Sequence, residues 1–298
     1  MNSEKLKIWG GFFIISTVWG STWLAIKIGV TVLPPFLAAG LRFVLASSIL
    51  FAIIRVRGLK VVMTPEAKKL YLAMGILSFT FPFALVYWGE QYIASALGSI
   101  LFASFPFWVA LFSQAFLKSE PIDGFKVGGI LLGFVGIVVI FWGDFDTGNP
   151  RAALGMAAVI LSTISQAYTL IVVKRLGQPI SPFIMNFIGM AMAAVALLAL
   201  SALTERWTGI PWTGAAAGSI VYLAVMGSVL TFVTYFWLLK RVQAVYLSLT
   251  TFINPIVAVV LGAVILDESL GASVAIGAAM VLTGILLANG KFFIEKYT

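Results

Sequence analysis

The chain has 298 residues, of which 61% are hydrophobic and only 10% are charged. Soluble domains are near half apolar and a quarter charged, so this composition excludes an ordinary soluble protein and predicts a membrane protein. Cys and His are both absent from the sequence. Their absence excludes disulfides, thiolate nucleophiles, Ser-His triads and the usual His/Cys zinc sites. The formal net charge of +8 is read first as a signal of membrane orientation.

Ten apolar segments follow one another along the chain, each near the roughly 20 residues that a membrane-spanning helix needs. They are nearly continuous runs of Leu, Ile, Val, Ala, Phe and Gly, without the alternating polarity of β-barrel strands. The joints between them are short, so we expect no soluble domain outside the membrane. The sequence predicts an all-α integral membrane protein with helices at about 8–28, 36–54, 70–89, 94–117, 125–142, 152–173, 183–203, 215–238, 245–266 and 272–292.

The distribution of Lys and Arg predicts how the chain is oriented. With a cytoplasmic N-terminus, all of the 19 basic residues except Lys27, Arg42, Arg151 and Arg206 fall on the cytoplasmic side. The positive-inside rule then favours an N-in, C-in topology with ten transmembrane helices. The first apolar run is too long for a signal peptide, so we expect a retained first helix. We expect a multi-pass protein of a prokaryotic cytoplasmic (inner) membrane.

Several sequence features recur at an offset near half the chain length, which indicates an internal duplication. Five spans per copy is an odd number, so the second copy would be inverted with respect to the first. We therefore predict a five-helix repeat at 1–146 and a second, inverted five-helix repeat at 147–298, a design that is common among secondary transporters. An offset of 149 relates Trp88 to Trp237, Pro106 to Pro255 and Gly128 to Gly277, and an offset of 147 relates Thr22 to Thr169, Lys27 to Lys174 and Pro35-Phe36 to Pro182-Phe183.

Four stretches resemble the EamA family of the drug/metabolite transporter superfamily. They are Trp19-Gly20-Ser21-Thr22-Trp23 with Lys27, Leu41-Arg42-Phe43, Ala94–Pro106, and Ala244–Pro255 followed by Asp267-Glu268. The resemblance covers almost the whole chain. It implies a ten-helix carrier of small metabolites or amino acids, usually an exporter, with a central cavity lined by helices 1–4 and 6–9 and with helices 5 and 10 at the periphery.

The second half departs from the first-helix motif of that family. Gln166-Ala167-Tyr168-Thr169 stands where Trp19-Gly20-Ser21-Thr22 would repeat. The two halves of a cavity between the repeats would therefore be chemically unequal.

Charged side chains inside hydrocarbon are costly, so each one is a candidate for a function. Arg42 could anchor a carboxylate or phosphate, or could be a structural arginine that pairs with Glu90 at the outer end of helix 3. Lys27 and Lys174 lie at helix C-termini, where a cation suits the helix dipole and a structural role is favoured. Glu90 is the carboxylate best placed near a cavity mouth. Either it couples transport to protons, or the protein is a uniporter or exchanger, which we favour.

Aromatic and neutral polar side chains predict a pocket suited to a neutral or zwitterionic solute better than to a polyanion. The alternative is that these residues pack between helices or face lipid. The candidate binding residues, beside Arg42 and Glu90, are Trp19, Trp23, Tyr87, Ser99, Gln166, Tyr168, Tyr235 and Asn254.

Pro106 and Pro255 occupy matched places inside predicted helices. A proline there removes a backbone hydrogen bond and bends the helix, so the pair is interpreted as two hinges, or else as passive kinks. In helix 5, Gly129 and Gly133 form a small-residue face for helix packing, within a monomer or at a weak homodimer contact.

The favoured interpretation is a secondary transporter that exports small organic metabolites such as amino acids by alternating access. A carrier that exchanges phosphorylated sugars or nucleotide-sugars would need clustered Lys and Arg, and remains the alternative, followed by a channel. An intramembrane enzyme is disfavoured because His and paired membrane Asp residues are missing. The expected partners are a small-molecule substrate and the lipid bilayer, without nucleic acid, metal or cofactor.

Overall fold

The structure is a computed structural model that describes residues 3–117, 124–145, 150–267 and 271–288, and within these ranges all regular structure is helical. This confirms the predicted all-α class. Three predicted features lie outside the described residues: the last residues of the tenth helix (289–292), the boundary between 146 and 147, and Glu268. The helices are α1 (Ser3–Val30), α2 (Pro35–Val56), α3 (Pro65–Gly89), α4 (Ser95–Leu117), α5 (Gly124–Phe145), α6 (Pro150–Leu176), α7 (Pro182–Thr204), α8 (Gly214–Leu239), α9 (244–266) and α10 (Ala272–Ala288).

Judged on the described residues alone, seven of these helices are long and apolar enough to cross a bilayer, namely α1 to α4 and α6 to α8. Their apolar stretches have 22 to 27 residues. At about 1.5 Å per residue even the shortest reaches roughly 33 Å, which exceeds a hydrocarbon core of about 30 Å. The last part of α9, Ile253–Leu266, and most of α10 are shorter apolar helices. The chain is thus built as a multi-pass membrane protein.

Residues at the joints explain where several helices begin. Pro35, Pro65 and Pro182 stand at the first position of α2, α3 and α7. Proline suits that position because its fixed backbone angle is helical and its missing N–H would have had no partner there. The hydroxyls of Thr64 and Thr213 accept hydrogen bonds from backbone amides in the first turns of α3 and α8, and so cap those helices.

Two helices are interrupted just before a proline, at related places. α4 consists of Ser95–Phe102 and Phe105–Leu117, and the break precedes Pro106. In α9 the 3₁₀ turn Leu249–Phe252 precedes Pro255. A proline lacks the N–H that would continue the helix and its ring displaces the preceding turn. The regular α-helix is therefore interrupted before each of the two prolines.

Two further irregularities also lie at related places, and the sequence did not predict them. Met74–Thr80 in α3 and Val225–Leu230 in α8 are π-helical. A π-helical turn is wider than an α-helical turn and leaves backbone groups available to other partners. Both segments lie in the middle of their helices, where they can serve the interior of the bundle.

The helices α5 and α10 pack against each other through glycine. A Cβ atom added to Gly284 would lie 2.5 Å from the carbonyl oxygen of Gly129, and one added to Gly136 would lie 2.7 Å from that of Gly277. The two backbones are therefore in direct contact, as in other small-residue helix pairs of membranes. This places the predicted small-residue face of helix 5 inside the monomer.

We expect the substitution Gly284→Ala to destabilise the protein by about 1–3 kcal/mol, because the new methyl group would meet backbone atoms that cannot rotate away. The control is Gly218→Ala in α8, where no atom lies within 4 Å of the added Cβ. The measurement is thermal unfolding of the purified proteins in detergent. Equal melting temperatures for the two variants would contradict the proposed packing.

Candidate functional site

A cavity lies between the two halves of the chain. It holds about 760 Å³ of space between atoms, a volume that includes the part open at its mouth. Its walls come from α1 to α4 and from α6, α8 and α9, whereas α5, α7 and α10 contribute none of its lining among the described residues. This agrees with the arrangement that the family resemblance implied, except for α7.

Six of the candidate binding residues from the sequence come together here: Trp19, Trp23, Arg42, Gln166, Tyr235 and Asn254. Tyr87, Glu90 and Ser99 are buried but do not line the cavity. Tyr87 is connected to the cavity through its hydrogen bond with Arg42.

Tyr168 is not brought to the cavity. Its side chain is 37% exposed and its ring packs on Phe112 and Phe116 of α4. The reason is helical geometry: Tyr168 follows Gln166 by two residues, which is about 200° around the helix axis. Since Gln166 faces the cavity, Tyr168 must face away from it. Sequence reasoning that treated both as pocket residues overlooked this constraint.

Arg42 is almost completely buried, with 2% of its surface exposed, and is held by neutral oxygens. Its Nε donates to Ser228 Oγ (2.8 Å), one terminal nitrogen donates to the Gly227 carbonyl (3.0 Å), and the other donates to the Tyr87 hydroxyl (3.3 Å). The guanidinium carbon also lies 4.8 Å from the centre of the Phe83 ring, a cation–π contact. These contacts fix the orientation of the one charged side chain in the described cavity lining.

The π-helical segments explain why such partners exist in the membrane interior. Ser228 and Gly227 both belong to the segment in α8. The Gly227 carbonyl accepts a second hydrogen bond, from the indole nitrogen of Trp19 (3.4 Å). In α3 the related segment offers the Leu77 carbonyl to the hydroxyl of Ser165 (2.7 Å). Each segment is thus held by a side chain from the other half of the chain, which no local sequence pattern signals.

Lys27 caps the end of α3 instead of facing the cavity. Its ammonium group donates to the backbone carbonyls of Glu90 and Ile93, both at 2.7 Å. These carbonyls belong to the last turn of α3 and the joint that follows, where helical partners run out. The helix-capping role predicted for Lys27 thus explains the position of its ammonium group.

Lys174 makes the corresponding contacts in the second half. Its ammonium group donates to the carbonyls of Leu239 (2.7 Å) and Val242 (2.8 Å) at the end of α8. The offset that relates Lys27 to Lys174 is 147, and the acceptor residues are related by 149, as at the other repeated motifs. The two lysines therefore cap equivalent helix ends.

Aromatic rings form much of the cavity wall. The ring of Trp19 lies 4.9 Å from that of Tyr235 and 5.1 Å from that of Phe232, and Trp23 lies 5.6 Å from Phe102. Such rings present apolar faces with modest polarity at their edges. The wall therefore suits a ligand with a flat or branched apolar body.

Two buried polar atoms in the lining have no hydrogen-bond partner among the described residues: the Tyr235 hydroxyl and Asn254 Oδ1. Buried polar groups in native proteins are nearly always paired, because an unpaired one costs about 1–3 kcal/mol. Because both residues belong to the cavity wall, these two atoms are candidates for polar contacts with a ligand.

We expect Lys174→Met to destabilise the protein by about 1–2 kcal/mol, because two partly buried carbonyls at the end of α8 would lose their donor. Lys27→Met should have an effect of similar size at the end of α3. Lys68→Met, at an exposed position of α3, is the control. Thermal unfolding in detergent measures the effects, and a melting temperature for either capping-lysine variant equal to that of the control would argue against the capping role.

Comparison with known proteins agrees with the fold. The model of the EamA-like transporter family matches residues 8–142 and 153–290, one match in each predicted half. The chain is 27% identical over 291 residues to the uncharacterized transporter YoaV of Bacillus subtilis (strain 168), covering 98% of this chain and 99% of that one. It is 29% identical over 296 residues to the uncharacterized inner membrane transporter YedA of Escherichia coli (strain K12), covering 97% and 93%.

A solved crystal structure of another protein shares the fold, with a TM-score of 0.69 at 20% identity over 94% of this chain and 96% of that one. The family match extends over both halves of the chain and includes every helix that lines the cavity. This multi-pass membrane protein therefore belongs to the EamA-like transporter family.

Proposed function

We propose that the chain is a secondary transporter that exports small organic metabolites of amino-acid size by alternating access. The observation that carries this proposal is the cavity itself, which is enclosed by helices from both halves of the chain. A binding site at the interface of two related halves can be exposed to either side of a membrane in turn when the halves exchange conformations.

The proposed architecture is ten transmembrane helices, α1–α5 and α6–α10, as two inverted repeats with both termini in the cytoplasm. Three pairs of features support it: the capping lysines, the π-helical segments, and the breaks before Pro106 and Pro255. The name of the E. coli relative YedA supports a location in a bacterial inner membrane.

The two proline breaks are proposed hinges. Phe102 and Phe105 flank the break in α4, whereas Thr251 lies within the 3₁₀ turn of α9 and Asn254 follows it. All four residues line the cavity. A bend at these points would move the walls of the cavity while the outer parts of α4 and α9 follow as rigid pieces. This would link the binding of a solute to the exchange between outward and inward states.

The charge of the cavity lining favours a small metabolite over a phosphorylated sugar. Sugar phosphates are usually bound by several Lys or Arg side chains, and Arg42 is the one such side chain in the described lining. The described lining also contains no carboxylate that could carry a coupling proton. An exchanger or uniporter is therefore favoured over a proton-coupled carrier.

The topology can be tested with single cysteines, because the natural sequence has none. We expect a membrane-impermeant maleimide to label Gln91→Cys and Thr208→Cys on intact cells, and to label Val61→Cys and Gln178→Cys only after permeabilisation. All four positions are exposed joints between helices. Labelling of Gln91 and Gln178 from the same side would be incompatible with inverted repeats.

Transport can be tested by counterflow in proteoliposomes loaded with unlabelled amino acids, monocarboxylates or sugar phosphates. We expect saturable, trans-stimulated uptake of a labelled metabolite from the first two groups. Tyr235→Phe removes a cavity hydroxyl and should raise the half-saturating concentration about 5–10-fold, the value of a hydrogen bond. Tyr168→Phe removes a hydroxyl outside the cavity and is the matched control. Uptake that neither saturates nor responds to internal solute would indicate a channel.

A further inference from the structure

We propose that the cavity selects organic monoanions: a small monocarboxylate with an aromatic or branched apolar body and without an ammonium group. This inference rests on the proposed transport function and specifies the charge of the solute, which that function leaves open. Four features of the cavity carry it: the donors of Arg42, the charge balance of the lining, the unpaired acceptor of Asn254, and the aromatic walls.

Arg42 offers a prepared site for a carboxylate. A guanidinium group has five N–H donors, and its three hydrogen bonds to described residues leave two for a ligand. The bonds to Ser228 and Gly227 and the stacking on Phe83 hold the group in one orientation. A carboxylate suits the remaining N–H donors better than a neutral group does, because its hydrogen bonds to them are charge-assisted.

The charge balance of the lining calls for one negative charge. Arg42 is accompanied by no Asp, Glu or Lys among the described lining residues. The other cations of the membrane interior, Lys27 and Lys174, are directed to helix-end carbonyls. Glu90 is fully buried near the end of α3 but does not line the cavity. A monoanion would neutralise the cavity, and a dianion such as a phosphate ester would reverse its charge.

An ammonium group on the solute would find no matching anion in this lining. A charge transferred from water into an apolar site loses its hydration, and only a close counter-ion with further hydrogen bonds compensates for that loss. Contacts with the faces of Trp19 or Phe232 would recover only part of it. The lining therefore penalises the ammonium group of an amino acid relative to a neutral substituent at the same place.

The amide oxygen of Asn254 can be satisfied without a charge. Asn254 is 2% exposed, and its Oδ1 is a pure acceptor without a partner among the described residues. A hydroxyl group on the solute donates such a hydrogen bond and is neutral. A 2-hydroxy acid with an aromatic body combines the three properties that this lining favours: a carboxylate for Arg42, a neutral hydroxyl donor, and a ring for the aromatic wall.

The test uses four compounds that share one phenyl ring and differ in charge: 3-phenyllactate and phenylpyruvate (−1), phenylalanine (zwitterion) and phenethylamine (+1). Their half-inhibitory concentrations are measured in the counterflow assay at neutral pH. We expect phenyllactate and phenylpyruvate to inhibit at concentrations about 10-fold or more below that of phenylalanine, with phenethylamine the weakest.

Variants of Arg42 test whether the order of half-inhibitory concentrations depends on the charge of this side chain. Arg42→Gln should remove the preference for the anions, and Arg42→Lys, which keeps the charge without the paired donors, should keep the order with weaker binding. Arg55→Gln is the matched control, because Arg55 lies on the same helix, exposed and outside the cavity. Melting temperatures in detergent show whether each variant is folded; if Arg42→Gln is not, Arg42→Lys and the wild-type series decide.

Three results would overturn the inference: phenylalanine inhibiting as strongly as phenyllactate in the wild type, an anion preference that survives in folded Arg42→Gln, or no inhibition by either anion. The first two leave the transport function intact, since saturable counterflow would still be observed. Loss of the transport function itself would appear as the absence of saturable counterflow for every solute in the wider panel.

Discussion

Backbone groups inside hydrocarbon have no water to bind, so every irregular point in a membrane helix needs a partner from the protein. In this chain the partners are a few polar side chains. Lys27 and Lys174 serve the ends of α3 and α8, while Trp19 and Arg42 serve a carbonyl of the π-helical segment in α8. The need to pair these backbone groups therefore also determines where polar side chains lie. Arg42, which binds the Gly227 carbonyl, lies in the cavity wall for this reason.

The contact between α2 and α8 and the corresponding contact between α7 and α3 pair residues of opposite size. At an offset of 147, Arg42 of α2 corresponds to Gly189 of α7, and at an offset of 149, Ser228 of α8 corresponds to Phe79 of α3. In the first contact the large Arg42 donates a hydrogen bond to the small Ser228. In the second contact the small Gly189 packs against the large Phe79, and a Cβ atom added to Gly189 would lie 2.9 Å from the ring. One junction is polar and the other apolar. This explains why α2 contributes a charged group to the cavity and α7 contributes no lining residue.

Much of the fold was predictable because membrane-spanning helices consist of long runs of apolar residues. The predicted segment 183–203 became Pro182–Thr204, and 215–238 became Gly214–Leu239, since proline or a capping threonine marks each start. The direction in which a residue points was less predictable. Gln166 and Tyr168 both looked suitable for a pocket, but only the packing of α6 decides which of the two faces inward.

The π-helical segments are a second feature that could not be predicted from the sequence. Nothing in the composition of Met74–Thr80 or Val225–Leu230 distinguishes them from α-helix, because the wide turn is stabilised by side chains distant in sequence, such as Ser165 and Arg42. The capping lysines could be recognised by their helix-end positions, although their acceptors could not. Sequence reasoning therefore singled out Arg42 and the two lysines, but not the neutral oxygens that accept their hydrogen bonds.

The irregular points also divide each half into parts that are held and parts that can bend. Lysine caps fix the ends of α3 and α8 to α1 and α6, whereas the breaks before Pro106 and Pro255 lie at the cavity wall. A change of shape that kept the lysine caps would therefore be concentrated at the level of the cavity. The residues that would sense a solute, Phe105 and Asn254, stand beside these breaks, so occupancy of the cavity and bending of α4 and α9 would act on the same few turns of backbone.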